Sequence, residues 1–193
     1  RRRLETLSRR SGTTPFELLL AAWQTLLGRM SGQERFCVGT PVAGRDRLEL
    51  EPLVGFLVNV LPVVADLSGA PRFRELLARA HDAAVGARAG QELPFERLIE
   101  DLNLDRDTDR PPLFQVALVL HQEPPERTRL PGLELELLAS DTGLARHELT
   151  LELFESGDGF AGTLEYRTAL FDAATAERMA QHFRNLLAAA AEN

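Results

Sequence analysis

Apolar residues recur at helical spacing in several stretches of this chain and at two-residue spacing, or in unbroken runs, between them, so helices and strands alternate along it. Phe16, Leu19, Leu20, Trp23, Leu26, Leu27 and Met30 form one stripe. They predict a helix from Pro15 to Gly28 that needs a sheet or another helix to cover it, with Trp23 in the core. Thr14, Pro15 and Glu17 supply its start: a capping threonine, a proline at the first helical position and the glutamate of a capping box. A short basic helical stretch with Leu4 and Leu7 precedes it. Phe73, Leu76, Leu77, Ala80, Ala84 and Ala87 mark a narrower, alanine-rich stripe and a helix from Pro71 to Ala89, poorly capped because Ala70 stands where Asp or Ser would help. A short helix begins at Pro94, with Phe95, Leu98, Ile99 and Leu102 on one side. Asp172 caps a last helix, to Ala191, carrying Ala176, Met179, Phe183, Leu186, Leu187 and Ala190.

Strands fill the intervals. Arg35 to Val42 and Asn59 to Asp66 read as strands, with a helical turn between Leu53 and Val58. Pro62 has no N–H for a ladder, which suits an edge strand or one bordering a channel. Leu113 to Leu120 is almost continuously apolar, as a strand buried on both faces at the centre of a sheet would be. His121 to Pro131 reads as loop, and Leu133, Leu135 and Leu137 alternate with Glu134 and Glu136 in a strand covered on one face. Leu149 to Glu155 and Phe160 to Arg167 form a hairpin around Ser156-Gly157-Asp158-Gly159. The fold class is α/β: a layered sandwich of a mixed sheet with helices packed against it.

The stretch from Val38 to Asp66 organises the rest. Two apolar runs flank a long polar loop that holds Arg45, with Gly39, Thr40 and Pro41 on one side and Gly55, Asn59 and Pro62 on the other. This fits either the wall and lip of a cavity or an ordinary strand pair joined by a long loop.

The chain has 193 residues, 44% of them hydrophobic and 26% charged, enough for one domain or lobe with a real core. All 22 basic residues are arginines, the net charge is −7, and the arginines are scattered among carboxylates, which excludes a nucleic-acid surface. Neither a signal peptide nor a membrane span is evident. The lone Cys37 suits a reducing cytoplasm. A start at Arg1-Arg2-Arg3 without methionine and the alanine run Ala188-Ala189-Ala190-Ala191 near the end read as a piece of a longer polypeptide, and the alanine- and arginine-rich, lysine-free composition fits a high-GC bacterial gene.

Candidate chemistry is sparse. His81, His121 and His182 lack a Ser/Asp constellation, whereas His147, before Glu148 and a strand, is placed to line a cavity. Metal-ligand spacing, a P-loop and a dinucleotide fingerprint are all missing from the sequence, so no bound cofactor is implied. Gln91-Glu92-Leu93-Pro94-Phe95-Glu96 sets polar residues at a helix start. Arg106, Asp107, Asp109 and Arg110 offer two Arg–Asp pairings in a charged connector.

VGTPVAGR at Val38 to Arg45, LVGFLVN at Leu53 to Asn59, QELPFE at Gln91 to Glu96 and RDTDRPPLF at Arg106 to Phe114 stand in order along the chain. Together with GTTPFELLLAAW before them and HELTLELFE after them, they resemble the later core motifs of nonribosomal peptide synthetase condensation domains, over nearly the whole chain. The resemblance implies a two-lobed fold similar to chloramphenicol acetyltransferase, of which residues 1–193 are the C-terminal lobe. The family's HHxxxDG signature belongs to the N-terminal lobe, so no catalytic residue is expected in this chain, and the chain alone is expected to be inactive. Arg45 matches the arginine that supports that signature across the lobe interface, and Asn59 matches an asparagine beside the substrate channel. Gly39, Gln91, Glu96 and His147 are further channel-lining candidates.

The implied function is peptide-bond formation between aminoacyl or peptidyl thioesters in antibiotic or other secondary-metabolite synthesis. Phosphopantetheine arms of partner carrier domains would tether the substrates. The implied partners are the N-terminal lobe, the upstream and downstream peptidyl carriers and an adjacent adenylation domain. The alternative is a catalytically silent or epimerisation-type relative that serves as a platform for a tailoring enzyme or neighbouring domains. Departures from the family pattern are Gly90 before the glutamine, Glu92 for Asp, Asp109 for Ser, Pro111 for Asn and Glu148 for Asp.

Overall fold

The computed structural model describes residues 2–104, 110–121, 128–135, 143–156 and 159–192, with backbone alone at 128–130 and 156. In order the elements are α1 (Arg2–Ser11), α2 (Pro15–Ser31), β1 (Arg35–Val42), a 3-10 turn (Leu48–Leu50), β2 (Asn59–Asp66), α3 (Phe73–Ala89) and α4 (Phe95–Asp101). Then follow β3 (Val116–His121), β4 (Thr128–Leu130), β5 (Leu133–Leu135), β6 (Leu149–Ser156), β7 (Gly159–Tyr166) and α5 (Ala173–Glu192). Five strands form a mixed sheet in the order β2-β1-β3-β6-β7, with β1, β3 and β6 parallel and the two outer strands antiparallel to their neighbours.

Strand alternation gives this sheet two unlike faces. One carries Phe36, Val38, Val63, Leu118, Leu149, Leu151 and Leu153, against which α2, α3 and α5 pack, while α1 rests on α2 and α5. Helix α2 lies in the middle of that layer, and every residue from Glu17 to Gly28 is buried. Its neighbours on several sides explain why a helix with one sequence stripe ends up covered all round. The expected capping box is present: Thr14 Oγ1 accepts from Glu17 N at 3.2 Å, and Glu17 Oε2 accepts from Thr14 N at 2.7 Å. Trp23 is fully buried and meets Phe183 of α5 edge-on at 5.9 Å.

Several boundaries differ from the pattern-based reading. Helix α3 starts at Phe73, not Pro71, because Glu75 reaches back to accept from Arg72 N at 2.9 Å and makes Arg72 the cap. No helical turn forms from Leu53 to Val58; the turn comes earlier, at Leu48–Leu50. Strand β3 is central, as expected, but begins at Val116, since Leu113 has φ +70° and turns Phe114 over Gly39. Nor is β3 sealed on both faces: Ala117 and Leu118 are buried and its other residues are half-buried. The interval read as loop contains β4, which pairs with β5 in a separate two-stranded sheet where Leu133 and Leu135 are exposed; one-sided cover is absent there, and Leu137 lies outside the described residues. The expected hairpin forms, with Ser156 opposite Gly159, and Asp172 Oδ1 caps α5 by accepting from Thr175 N at 2.6 Å. Pro62 sits on the edge strand.

Candidate functional site

Strand β1 runs into a loop whose course is set by Gly44. With φ +64°, it brings its backbone so close to Leu57 O that a Cβ would stand 2.1 Å from that oxygen. Arg45 then folds back on the same loop. Its NH1 donates to Ala43 O at 3.4 Å and its NH2 to Leu53 O at 2.9 Å and Gly55 O at 3.3 Å. These carbonyls take the place of the solvent or local carboxylate that an arginine in a polar loop would otherwise find, because the loop closes tightly enough to present them together.

Asn59, the first residue of β2, holds a second segment. Its Nδ2 donates to Gln91 O at 2.9 Å and Leu93 O at 2.8 Å, while Oδ1 accepts from Phe95 N at 3.1 Å. The first orphan N–H of α4 is thus capped by a side chain 36 residues away in sequence. Two further links, Arg47 NH2 to Glu92 Oε1 at 2.7 Å and Gln91 Nε2 to Asp46 Oδ2 at 3.4 Å, join the same loops. Between them lies a cavity of about 500 Å³. Gly44, Phe56, Asn59, Gln91, Glu92 and Glu96 are among its walls.

The other named residues sit elsewhere. Gly39 lies beneath the Phe114 ring, where an added Cβ would come within 2.2 Å of that ring, so it serves packing and does not line the cavity. His147 meets Phe114 at 5.4 Å, and Phe114 meets Phe95 at 5.3 Å, making a small aromatic cover on the sheet face away from the main core. Burial holds the His147 imidazole below its ordinary pKa, with Glu165 pulling the other way. Among the described residues its Nδ1 has no hydrogen-bond partner. Arg110 pairs with Glu148 at 3.5 Å, whereas Arg106, Asp107 and Asp109 lie outside the described residues. No group of three potential metal ligands comes together among the described residues.

Arg47, Asp46 and Phe114 were not singled out as site residues from sequence. Arg47 and Asp46 find partners 45 positions away. Nothing local marks such a pairing, although the aromatic after Pro111-Pro112 was a visible signal for Phe114.

The sequence profile of the condensation domain matches residues 1–193. This chain belongs to the condensation-domain family. It is 47% identical over 195 residues to a linear gramicidin synthase of Brevibacillus parabrevis, covering 100% of the chain and 4% of that protein. It is 42% identical to phosphinothricin tripeptide synthetase PhsB of Streptomyces viridochromogenes, covering 98% of the chain and 16% of that protein. The chain therefore spans a small part of these relatives' length. Among solved structures, the X-domain from teicoplanin biosynthesis superposes with a TM-score of 0.90 at 30% identity, over 99% of this chain and 44% of that one. A four-domain nonribosomal peptide synthetase bound to AMP and glycine gives a TM-score of 0.90 at 24% identity, over 99% of this chain and 16% of that one. The mixed α/β sheet with packed helices is that of condensation domains, the chloramphenicol-acetyltransferase-like fold. Among the described residues, no helix is long and apolar enough to cross a membrane.

Proposed function

We propose that this chain is the C-terminal lobe of a condensation domain that forms amide bonds in nonribosomal peptide synthesis. The observation that carries the reading is spatial. Three family motifs, ending at Arg45, Asn59 and Glu96, surround one cavity in a chain matched along its whole length by the condensation profile. In the reaction, the acceptor amine attacks the donor thioester carbon, the C–N bond forms and the C–S bond breaks. The sulfur leaves as the thiol of its phosphopantetheine arm, carrying away the proton the amine gives up. Carrier domains present both substrates, an adenylation domain supplies them, and the N-terminal lobe contributes the HHxxxDG base.

Within that scheme this lobe supplies shape and charge. The guanidinium of Arg45 is oriented by three carbonyls, and Nε takes part in none of those bonds. That edge is the one proposed to meet the aspartate of the catalytic signature across the lobe interface, a charge-assisted contact that fixes the histidine loop. Asn59 keeps the QELPFE segment at the cavity rim. A cytoplasmic location goes with this reading.

The test is a two-carrier assay with the intact domain and mass spectrometry of the downstream carrier. The expected result is a dipeptidyl thioester there, with no product above the uncatalysed rate from the 193-residue chain alone. Loaded carriers with no dipeptide would overturn the reading. A second reading, a platform for another enzyme, is favoured by one relative: a structure 30% identical to this chain is a complex of the X-domain and OxyB from teicoplanin biosynthesis. Loaded carriers left unjoined, together with stable binding of a tailoring enzyme, would select it.

A further inference from the structure

The cavity described above lies where α3 ends, near Gln91. At the other end of α3, about 25 Å away along a helix of 17 residues, the helix layer holds two more. The larger, about 680 Å³, has an apolar floor of Leu7, Phe73, Leu186, Ala189 and Ala190. Thr25 is also in its wall, but its Oγ1–H donates to Ala21 O at 2.6 Å, so that hydroxyl is already used. The smaller, about 250 Å³, shares Leu7 and Ala190 with it, and the two adjoin as a groove along the last turns of α5.

Charge singles this groove out. The chain carries a net charge of −7, yet Arg29, Arg72 and Arg74 rim the larger cavity and Arg2, Arg3 and Arg10 the smaller. Among the described residues that line the two, Glu192 alone is acidic. Helix stability accounts for Arg10 and Arg29, which stand in the last turns of α1 and α2, where a cation suits the helix dipole. Arg2, Arg3, Arg72 and Arg74 stand at the starts of α1 and α3, where the dipole disfavours a cation, and the cap of α3 is made by a carboxylate, Glu75 accepting from Arg72 N. One sign of charge gathered round a concave apolar floor selects an anionic partner that also brings apolar side chains.

Both ends of the described chain reach this groove, since Arg2 and Glu192 line the same cavity. The linear gramicidin synthase of which this chain covers 4% runs on beyond the matched part at one end at least. The last turns of α5 border both cavities and Arg2 only the smaller, so a polypeptide continuing from α5 is delivered at the groove. A segment tethered there has an effective concentration of about millimolar, enough for a few contacts to hold it. We propose that the groove docks the polypeptide that follows Asn193, through a segment with at least two carboxylates and a bulky aliphatic side chain in its first residues, about 15 of them, a reach of about 50 Å when extended. The carboxylates meet Arg29, Arg72 and Arg74, and the aliphatic group covers Phe73 and Leu186. Docking fixes the direction in which the next part of the protein leaves this lobe, and it holds whatever reaction the domain performs.

Hydrogen exchange in the full-length polypeptide tests this. In wild type the amides of the segment are expected to exchange at least ten-fold more slowly than in a free peptide of the same sequence, with the difference shrinking as salt is raised. Arg72→Glu combined with Arg74→Glu should release the segment and leave exchange in α2 unchanged, because a carboxylate suits the first turn of α3. Arg72→Lys combined with Arg74→Lys should keep most of the protection. Changing the segment's own carboxylates to amides leaves this lobe untouched and should release the segment equally. A following sequence without the acidic pair, wild-type exchange at the free-peptide rate, or protection that survives both charge changes would overturn the docking. Protection of residues 72–74 that rises with protein concentration would give the groove to a second copy of the chain and overturn it as well.

Discussion

Helix α2 and the loop from Ala43 to Val58 are neighbours in sequence and opposites in what holds them. In α2 every residue from Glu17 to Gly28 is buried, and the helix is closed at its start by its own capping box. In the loop Val54 is 104% exposed and Phe56 88%, so burial contributes little; the chain is fixed by Arg45 on three carbonyls and by Asn59 on another loop. A fully buried leucine contributes about 1.5–3 kcal/mol, against roughly 1 kcal/mol net for a hydrogen bond. One region is thus made stable by apolar area and the other is made definite by a few directional bonds. A cavity rim that must keep a shape without filling its own space with side chains needs the second kind of support.

The largest effect should come from the helix. Trp23→Ala removes the biggest fully buried side chain and its contact with Phe183, and should cost about 3–5 kcal/mol, read as a lower denaturant midpoint. Trp23→Phe should cost distinctly less, since the indole N–H has no partner among the described residues and its removal gives back a desolvation penalty. A mild Trp23→Ala would show that α2 is not the centre of the core. Second in size is Asn59→Asp, which exchanges the donor to Gln91 O and Leu93 O for an acceptor and sets three oxygens against one another. Asn59→Ala only leaves those groups unpaired, at about 1–3 kcal/mol. Hydrogen exchange should rise first at residues 91–95 in both variants, with the aspartate worse; uniform change across the sheet would remove Asn59 from this role.

The same contrast governs what could be read from the sequence. Helix α2, the hairpin β6–β7 and the start of α5 were legible because their determinants are local: a capping box, the Ser-Gly-Asp-Gly sequence between two apolar runs, Asp172 three residues before the N–H it caps. The places that went wrong depend on distant partners. Leu53 to Val58 carries apolar residues at spacing that allows a turn, but Arg45 takes the Leu53 and Gly55 carbonyls that a helix would have used. Leu113 looked like strand until Phe114 had to cover Gly39. Asn59, Gln91 and Glu96 share one cavity, as expected of channel-lining residues, while Gly39 and His147, expected to line it too, gather around Phe114 instead. Motif position along the chain says that a residue matters, and register decides which cavity it reaches.

Arg45 sharpens the comparison further. Arg45→Ala should lower stability by roughly 1 kcal/mol, since its carbonyl partners lie at an exposed loop where water replaces the lost donors. Its effect on amide formation by the intact domain should be far larger than that shift explains. Arg45→Lys should keep charge but lose the fork that serves several carbonyls at once, and should recover less than half of the activity. Unchanged condensation rates in the alanine variant would end the assignment of this residue to the lobe interface.

The smallest effect belongs to the histidines beside these two regions, and the sign of each distinguishes them. His81 Nδ1 lies 3.0 Å from Glu17 Oε2, the same buried carboxylate that completes the α2 capping box, and this contact raises the His81 pKa above its ordinary value. A base whose folded-state pKa is raised binds protons more readily when folded. Its contribution is therefore complete below the unfolded value of about 6.5 and is lost as pH rises through the raised folded pKa. His147 runs the other way: burial lowers its pKa, so its neutral form is favoured in the fold, and stability from this site is present above about 6.5 and falls away as the pH drops through the lowered value. Stability measured by urea unfolding from pH 5 to pH 8 should then decline less toward high pH in His81→Gln than in wild type, and decline less toward low pH in His147→Phe. The glutamine keeps a donor for Glu17, so the helix cap survives while the titration disappears. If His81→Gln leaves the slope above pH 6.5 unchanged, the carboxylate at the start of α2 is a cap alone and the contact with α3 carries no charge.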